Sequence, residues 1–162
     1  MFNRSISLVK EDGRDVLRID EQPGEGLAWL PGREVADGVI EFDARGKNVP
    51  QKSFVGVAFH GVDESTYDAV YFRPFNFKTV DPVRQVHSVQ YISPPDYGWK
   101  RLREEHPGIY EAAVQPVPDP DHWFHARVVL AYPSDIITGW IGFWVGDSSG
   151  GDYANLKITS SK

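Results

Sequence analysis

Ten short segments of alternating apolar and polar residues, each closed by glycine, proline, aspartate or serine, leave this chain few folds to choose from. They span residues 5–10, 16–20, 24–30, 38–45, 53–61, 67–74, 86–93, 123–131, 139–146 and 152–160. Alternation sends successive side chains to opposite faces, which is the period of a strand and not of a helix. Asp12-Gly13, between the first two segments, predicts a two-residue hairpin, because the favoured turn needs positive φ at both central residues. Only residues 99–106 read as helix, stopped by Pro107-Gly108. Many short strands with one short helix in a long loop predict an all-β, two-sheet antiparallel sandwich of the jelly-roll kind, one domain over residues 1–162.

The alternation also assigns faces. Ile40, Phe42 and Ala44 share one side of their segment, with Glu41, Asp43 and Arg45 on the other. Val55, Val57 and Phe59 oppose Phe54, Ala58 and His60, and Val70 and Phe72 oppose Tyr71 and Arg73. Ile141, Phe143 and Val145 oppose Trp140 and Trp144, and Ala154, Leu156 and Ile158 oppose Tyr153, Asn155 and Lys157. The expected inter-sheet core is therefore Ile40, Phe42, Val55, Val57, Phe59, Val70, Phe72, Phe143 and Leu156. The second faces, rich in aromatic and polar groups, are expected to stay open to a ligand.

Charge narrows the partner. A net charge of −6 disfavours polyanions, since nucleic-acid binders collect a basic stripe. Lys100-Arg101-Leu102-Arg103 is neutralised at once by Glu104-Glu105. Anionic membrane surfaces are disfavoured for the same reason, and no apolar run approaches the ~20 residues that span a bilayer. Without cysteine there is no disulfide framework and no thiolate chemistry. Residues 1–4 lead straight toward a strand with no signal peptide, so a secreted or periplasmic location implies that a leader has been removed. Aromatic residues make up 13%, more than a core of this size takes, so some are expected to face a ligand.

GVIEFDAR at 38–45, SFVGVAFHG at 53–61 and GWIGFWVG at 139–146 resemble strands of the concanavalin A-like lectin/glucanase superfamily. That superfamily includes laminin G-like modules and family-sixteen-type glycoside hydrolases. YDAVYFRPFNF at 67–77, QYISPPDY at 90–97 and REEHPGIYE at 103–111 resemble a bacterial branch of sugar-binding or glycoside-hydrolase-like proteins. The resemblance covers about residues 24–158 and implies a lectin-like module of a bacterial glycan-handling protein, with carbohydrate as the partner. A glycoside hydrolase and a laminin G-like, protein-binding domain are its alternatives. Two features depart from the family. The hydrolase strand resembles Glu-x-Asp-x-x-Glu, and here Glu41 and Asp43 are followed by Gly46 in place of the third carboxylate. Between 123–131 and 139 the relatives place roughly one further hairpin, where this chain has only residues 132–138.

Several groups are candidates for chemistry. Glu41 and Asp43, two apart on one strand face, permit the close carboxylate spacing of a retaining glycosidase, and a solvated charged face competes with that reading. Glu104 and His106 in the long loop could supply an acid or base. Tyr71, Arg73, Asn76 and Gln90, with Trp99, Arg103, Glu104 and His106, are expected to line one cleft. Aromatic faces beside amide and guanidinium donors match a sugar's apolar ring and its hydroxyl rim. Glu104 is the expected partner of Arg73. Trp123 and Trp144 are further platform candidates, and His60, Asp63 and Asp68 could cluster around a base or a metal. No cofactor is expected, with calcium at Asp147 and Asp152 as the minority reading against an ordinary turn.

Overall fold

A computed structural model of the chain describes residues 1–131 and 138–160. Among them, eleven strands form two antiparallel sheets packed face to face. The first sheet runs, in spatial order, β1 (Ile6–Glu11), β2 (Arg14–Gln22), β11 (Ser149–Ser160), β4 (Gly38–Arg45) and β9 (Phe124–Leu130). The second runs β3 (Gly26–Val35), β10 (Gly139–Val145), β5 (Val55–Gly61), β6 (Asp68–Phe72), β7 (Val89–Ile92) and β8 (Glu111–Ala112). The β1–β2 hairpin closes as the sequence predicts: Glu11 pairs with Arg14 across Asp12 (φ 51°) and Gly13 (φ 75°).

The inter-sheet core is the one the alternation specifies. Ile40, Phe42, Val55 and Val57 are fully buried, Phe59 and Phe143 nearly so, and Val70, Phe72 and Leu156 pack partly buried against them. Each fully buried side chain of this size contributes about 1.5–3 kcal/mol of transfer free energy. β5 lies so close to β6 that a Cβ at Gly56 would fall 2.2 Å from the Val70 carbonyl oxygen, so only glycine fits there.

One parity expectation fails. Tyr153 belongs to the core alongside Leu156 and Ile158, not opposite them. The register between β11 and β4 slips between Ala154 and Lys157, and Asn155 takes a left-handed φ of 53°. That bulge shifts the phase of alternation by one residue. The ring of Tyr153 stacks on Phe143 with centroids 4.2 Å apart. Its hydroxyl donates to the Trp144 carbonyl (2.7 Å) and accepts from the Gly56 N–H (3.0 Å), tying the first sheet to two strands of the second.

Among the described residues, three short helices stand where one was expected. α3 (Trp99–Glu105) is the predicted one, and it buries Leu102. α1 (Pro74–Phe77) and α2 (Pro82–Gln85) are single turns started by proline at their first position, and Asp81 caps the second by accepting from the Val83 N–H. They absorb the end of one expected strand and precede the shortened β7. The outer face of the second sheet is not simply open. Leu27, Ala58, Tyr67, Ala69, Tyr71, Ile92 and Trp144 form a second apolar cluster there, covered by Leu102 of α3. The short 132–138 connection lies, apart from Thr138, outside the described residues.

Candidate functional site

Where β6 ends, α1, α2 and α3 converge on a cleft of about 260 Å³ lined by Gln51, Phe54, Tyr71, Arg73, Asn76, Arg84, His87, Trp99 and Arg103. Strand parity turns Tyr71 away from the inter-sheet core; β6 ends at Phe72, and Arg73 stands at the N-cap of the helical turn that Pro74 starts. Both side chains form the floor, at 2% and 6% exposure. The Arg73 guanidinium donates to the His87 carbonyl (2.9 Å), the Tyr71 hydroxyl (2.8 Å) and Gln90 Oε1 (3.4 Å). It also lies 4.9 Å from the Tyr71 ring and 5.8 Å from that of Phe54. Burial holds it below the ordinary arginine range, and it remains protonated. Burial likewise pushes the Tyr71 phenol up to about 12.

Asn76, also buried, donates to the His87 carbonyl (3.2 Å) and accepts from Arg84 Nε (3.3 Å). On the far wall Arg103 makes a forked pair with Glu111 (2.9 and 2.7 Å) and lies 5.0 Å from the ring of Trp99. His87 Nδ1 sits 2.8 Å from Glu111 Oε2, close enough to pair in charge but off the hydrogen-bond direction. Burial works against ionisation of Glu111, yet the bonds from Arg103 and the nearby His87 hold it below the usual carboxylate range. Trp99 stands at the rim, 46% exposed.

The structure thus brings together Tyr71, Arg73, Asn76, Trp99 and Arg103 of the expected cleft. Gln90 lies beneath it, 1% exposed, donating to the Tyr91 and Tyr110 carbonyls. Glu104 and His106 do not join. Glu104 projects from the exposed side of α3 toward Lys100 (3.9 Å), because only Leu102 of that turn faces the sheet. His106 lines a separate aromatic cleft with Tyr91, Tyr97, Leu102 and Tyr110. Arg73 is therefore not paired with Glu104, and the carboxylate at this cleft is Glu111. Gln51, Phe54, Arg84, His87 and Glu111 went unrecognised in the sequence; Glu111 closes the REEHPGIYE run, but nothing in its spacing from Arg103 marks it above Glu104.

The remaining candidates are engaged elsewhere. Glu41 and Asp43 lie on the outer face of the first sheet, the opposite side of the sandwich from α3, so they cannot act with Glu104 or His106. Asp43 accepts from Asn155 (2.7 Å) and pairs with His125 (2.9 Å) and Arg14 (3.4 Å), while Glu41 has His125 and Lys157 within 4 Å. Asp147 accepts the Gly24 N–H (2.6 Å), and Asp152 is taken by Arg18 and Arg45. The two carboxylates therefore do not share a calcium cage. Trp144 is buried against Tyr71 (4.5 Å) and is no platform; Trp123 has Arg14 and Arg45 within 4.8 Å of its ring.

His60 forms a buried pair rather than a metal site. Its Nδ1 meets Asp68 (2.8 Å) and its Nε2 meets the Ala36 carbonyl (3.0 Å), while Asp63 caps its own turn through Ser65 and Thr66. Burial works to lower the His60 pKa, but the bonds to Asp68 and Ala36 raise it overall; Asp68 is lowered despite its burial. A raised histidine stabilises fully below its unfolded value and loses that contribution as pH rises through the folded one. A lowered aspartate does so above its unfolded value and fails as pH falls. The pair is thus strongest between about pH 4 and 6.5. Stability measured by urea denaturation is expected to decline above about pH 6.5, and His60→Gln to flatten that decline. An unchanged profile in the variant removes His60 as its source.

No protein-family model matches the sequence, and no curated protein matches it significantly. Solved structures do resemble it. A carbohydrate-binding module of Bacillus subtilis, CBM66, superposes with a TM-score of 0.61 at 12% identity, over 99% of this chain and 97% of that one. A Bacillus subtilis protein of unknown function with a galectin-like fold superposes with a TM-score of 0.56 at 13% identity, over 99% and 88%. At these identities the likeness is one of fold.

Proposed function

We propose that this chain is a carbohydrate-binding, lectin-like module of the concanavalin A-like and galectin-like kind, and that the Arg73–Trp99 cleft holds the sugar. The observation that carries this reading is the pairing, in one cleft, of a rim tryptophan with guanidinium and amide donors held in place by buried partners. A pyranose needs an apolar plane and fixed hydrogen-bond donors together, and a preorganised array loses little freedom on binding. The resemblance to a carbohydrate-binding module agrees with it.

Binding is favoured over hydrolysis because glycoside cleavage needs two carboxyl groups flanking one bond. Among the described residues the carboxylate bonded at this cleft is Glu111, already occupied by Arg103. Trp99→Ala is expected to weaken retention of array-positive glycans at least about tenfold while changing stability by under about 1 kcal/mol, since the ring is half exposed. Affinity electrophoresis with a parallel melting curve reads both, and full retention by the folded variant refutes the site. Release of reducing sugar from a bound glycan returns the hydrolase reading.

A further inference from the structure

The cleft carries surplus positive charge. Arg73, Arg84 and Arg103 line it, with His87 beside them. Glu111 is bonded to Arg103, and among the described residues neither Arg73 nor Arg84 is in an ion pair. Arg73 donates only to a carbonyl, a phenol and an amide oxygen, and Arg84 only to Asn76 through Nε. The terminal nitrogens of Arg84 and one terminal nitrogen of Arg103 therefore keep N–H groups for an incoming ligand. This surplus does not follow from composition, because the whole chain is net −6. Holding a 6%-exposed guanidinium with no carboxylate costs desolvation that neutral acceptors only partly offset.

We infer that the saccharide taken by this cleft is acidic, a sugar bearing a carboxylate or a sulfate ester that seats among Arg73, Arg84 and Arg103. This rests on the carbohydrate reading above and narrows it. A guanidinium presents two parallel N–H groups that match the two oxygens of such an anion, an advantage a neutral hydroxyl cannot use. The low-dielectric floor of Phe54 and Tyr71 strengthens the attraction.

Titration calorimetry tests it with four probes: an oligogalacturonide, its carboxyl-reduced neutral counterpart, a sulfated galactan oligosaccharide, and sodium sulfate alone. The acidic saccharides are expected to bind about tenfold or more tightly than the neutral one, with a gap that narrows between about 0.02 and 0.2 M salt. Preference for the uronate or the sulfated sugar identifies the anionic group. Arg84→Gln is expected to shrink the preference toward unity, and Arg84→Lys to keep part of it. Equal binding of acidic and neutral sugars overturns the inference and leaves the carbohydrate reading standing. Sulfate alone binding as tightly as the sugars also overturns it, and failure of every saccharide sinks both.

Discussion

Arg4→Leu is expected to remove about 3 kcal/mol of folding stability, which for a chain of this length lowers the melting temperature by roughly 10 °C. Arg4 is 7% exposed and reaches five carbonyls: Ser149, Asn3, Glu25, Gly24 and Gly146. These belong to the chain's start, to the segment before β3, to the turn after β10 and to the first residue of β11. One side chain thus ties the first sheet to the second, and leucine takes its bonds from the buried Ser149 and Gly146 carbonyls and from three part-buried ones, leaving Gly146 with the Ser149 N–H and Glu25 with Asn3. Its stem lies where a Cβ on Gly26 would fall, 2.2 Å from its Cγ, so a side chain at Gly26 would displace it. Burial holds the guanidinium below its ordinary range, with no carboxylate bonded to it. Arg4→Lys is expected to recover less than half, because one ammonium cannot span five acceptors. A loss under about 1 kcal/mol in urea denaturation would falsify this account.

Arg73→Met is expected to lower stability by about 2 kcal/mol and to abolish saccharide binding at the same time. Methionine keeps much of the stem volume but no donor, leaving Tyr71 and Gln90 without their bond from Arg73 and the His87 carbonyl with Asn76 alone. From strand parity alone Arg73 points out of the inter-sheet core, and its removal then looks harmless to the fold. The second apolar cluster makes it a buried anchor as well as a cleft residue. Denaturation and calorimetry on the same preparation decide. Binding lost with stability unchanged means the guanidinium serves the ligand alone, and stability lost with binding intact removes Arg73 from the site.

Much of the site was legible in residue types and little in partnerships. Tyr71, Arg73, Asn76, Trp99 and Arg103 were recognisable because aromatic and donor groups crowd a strand end and the long loop after it. That Glu111, not Glu104, meets Arg103 depends on how residues 103–111 fold back: α3 turns Glu104 outward, and β8 returns Glu111 to the edge of β7. Carboxylates one and eight residues from an arginine are equally available to it until the path between is known. Arg4 gave no signal, since carbonyl acceptors have no residue type.

The two-sheet architecture, the hairpin at Asp12-Gly13 and most of the inter-sheet core follow from residue order alone, because alternation and turn chemistry act between residues a few positions apart. Which second face is covered depends on how the long loop packs. The outer face of β4 stays in solvent, where Glu41 and Asp43 pair with Arg14, His125 and Lys157, while the outer face of β6 is roofed by α3. Tertiary packing also decides the bulge that brings Tyr153 into the core and the surplus of arginine at the cleft. Burial and charge pairing depend on neighbours that arrive from distant parts of the chain, and strand periodicity carries no information about them.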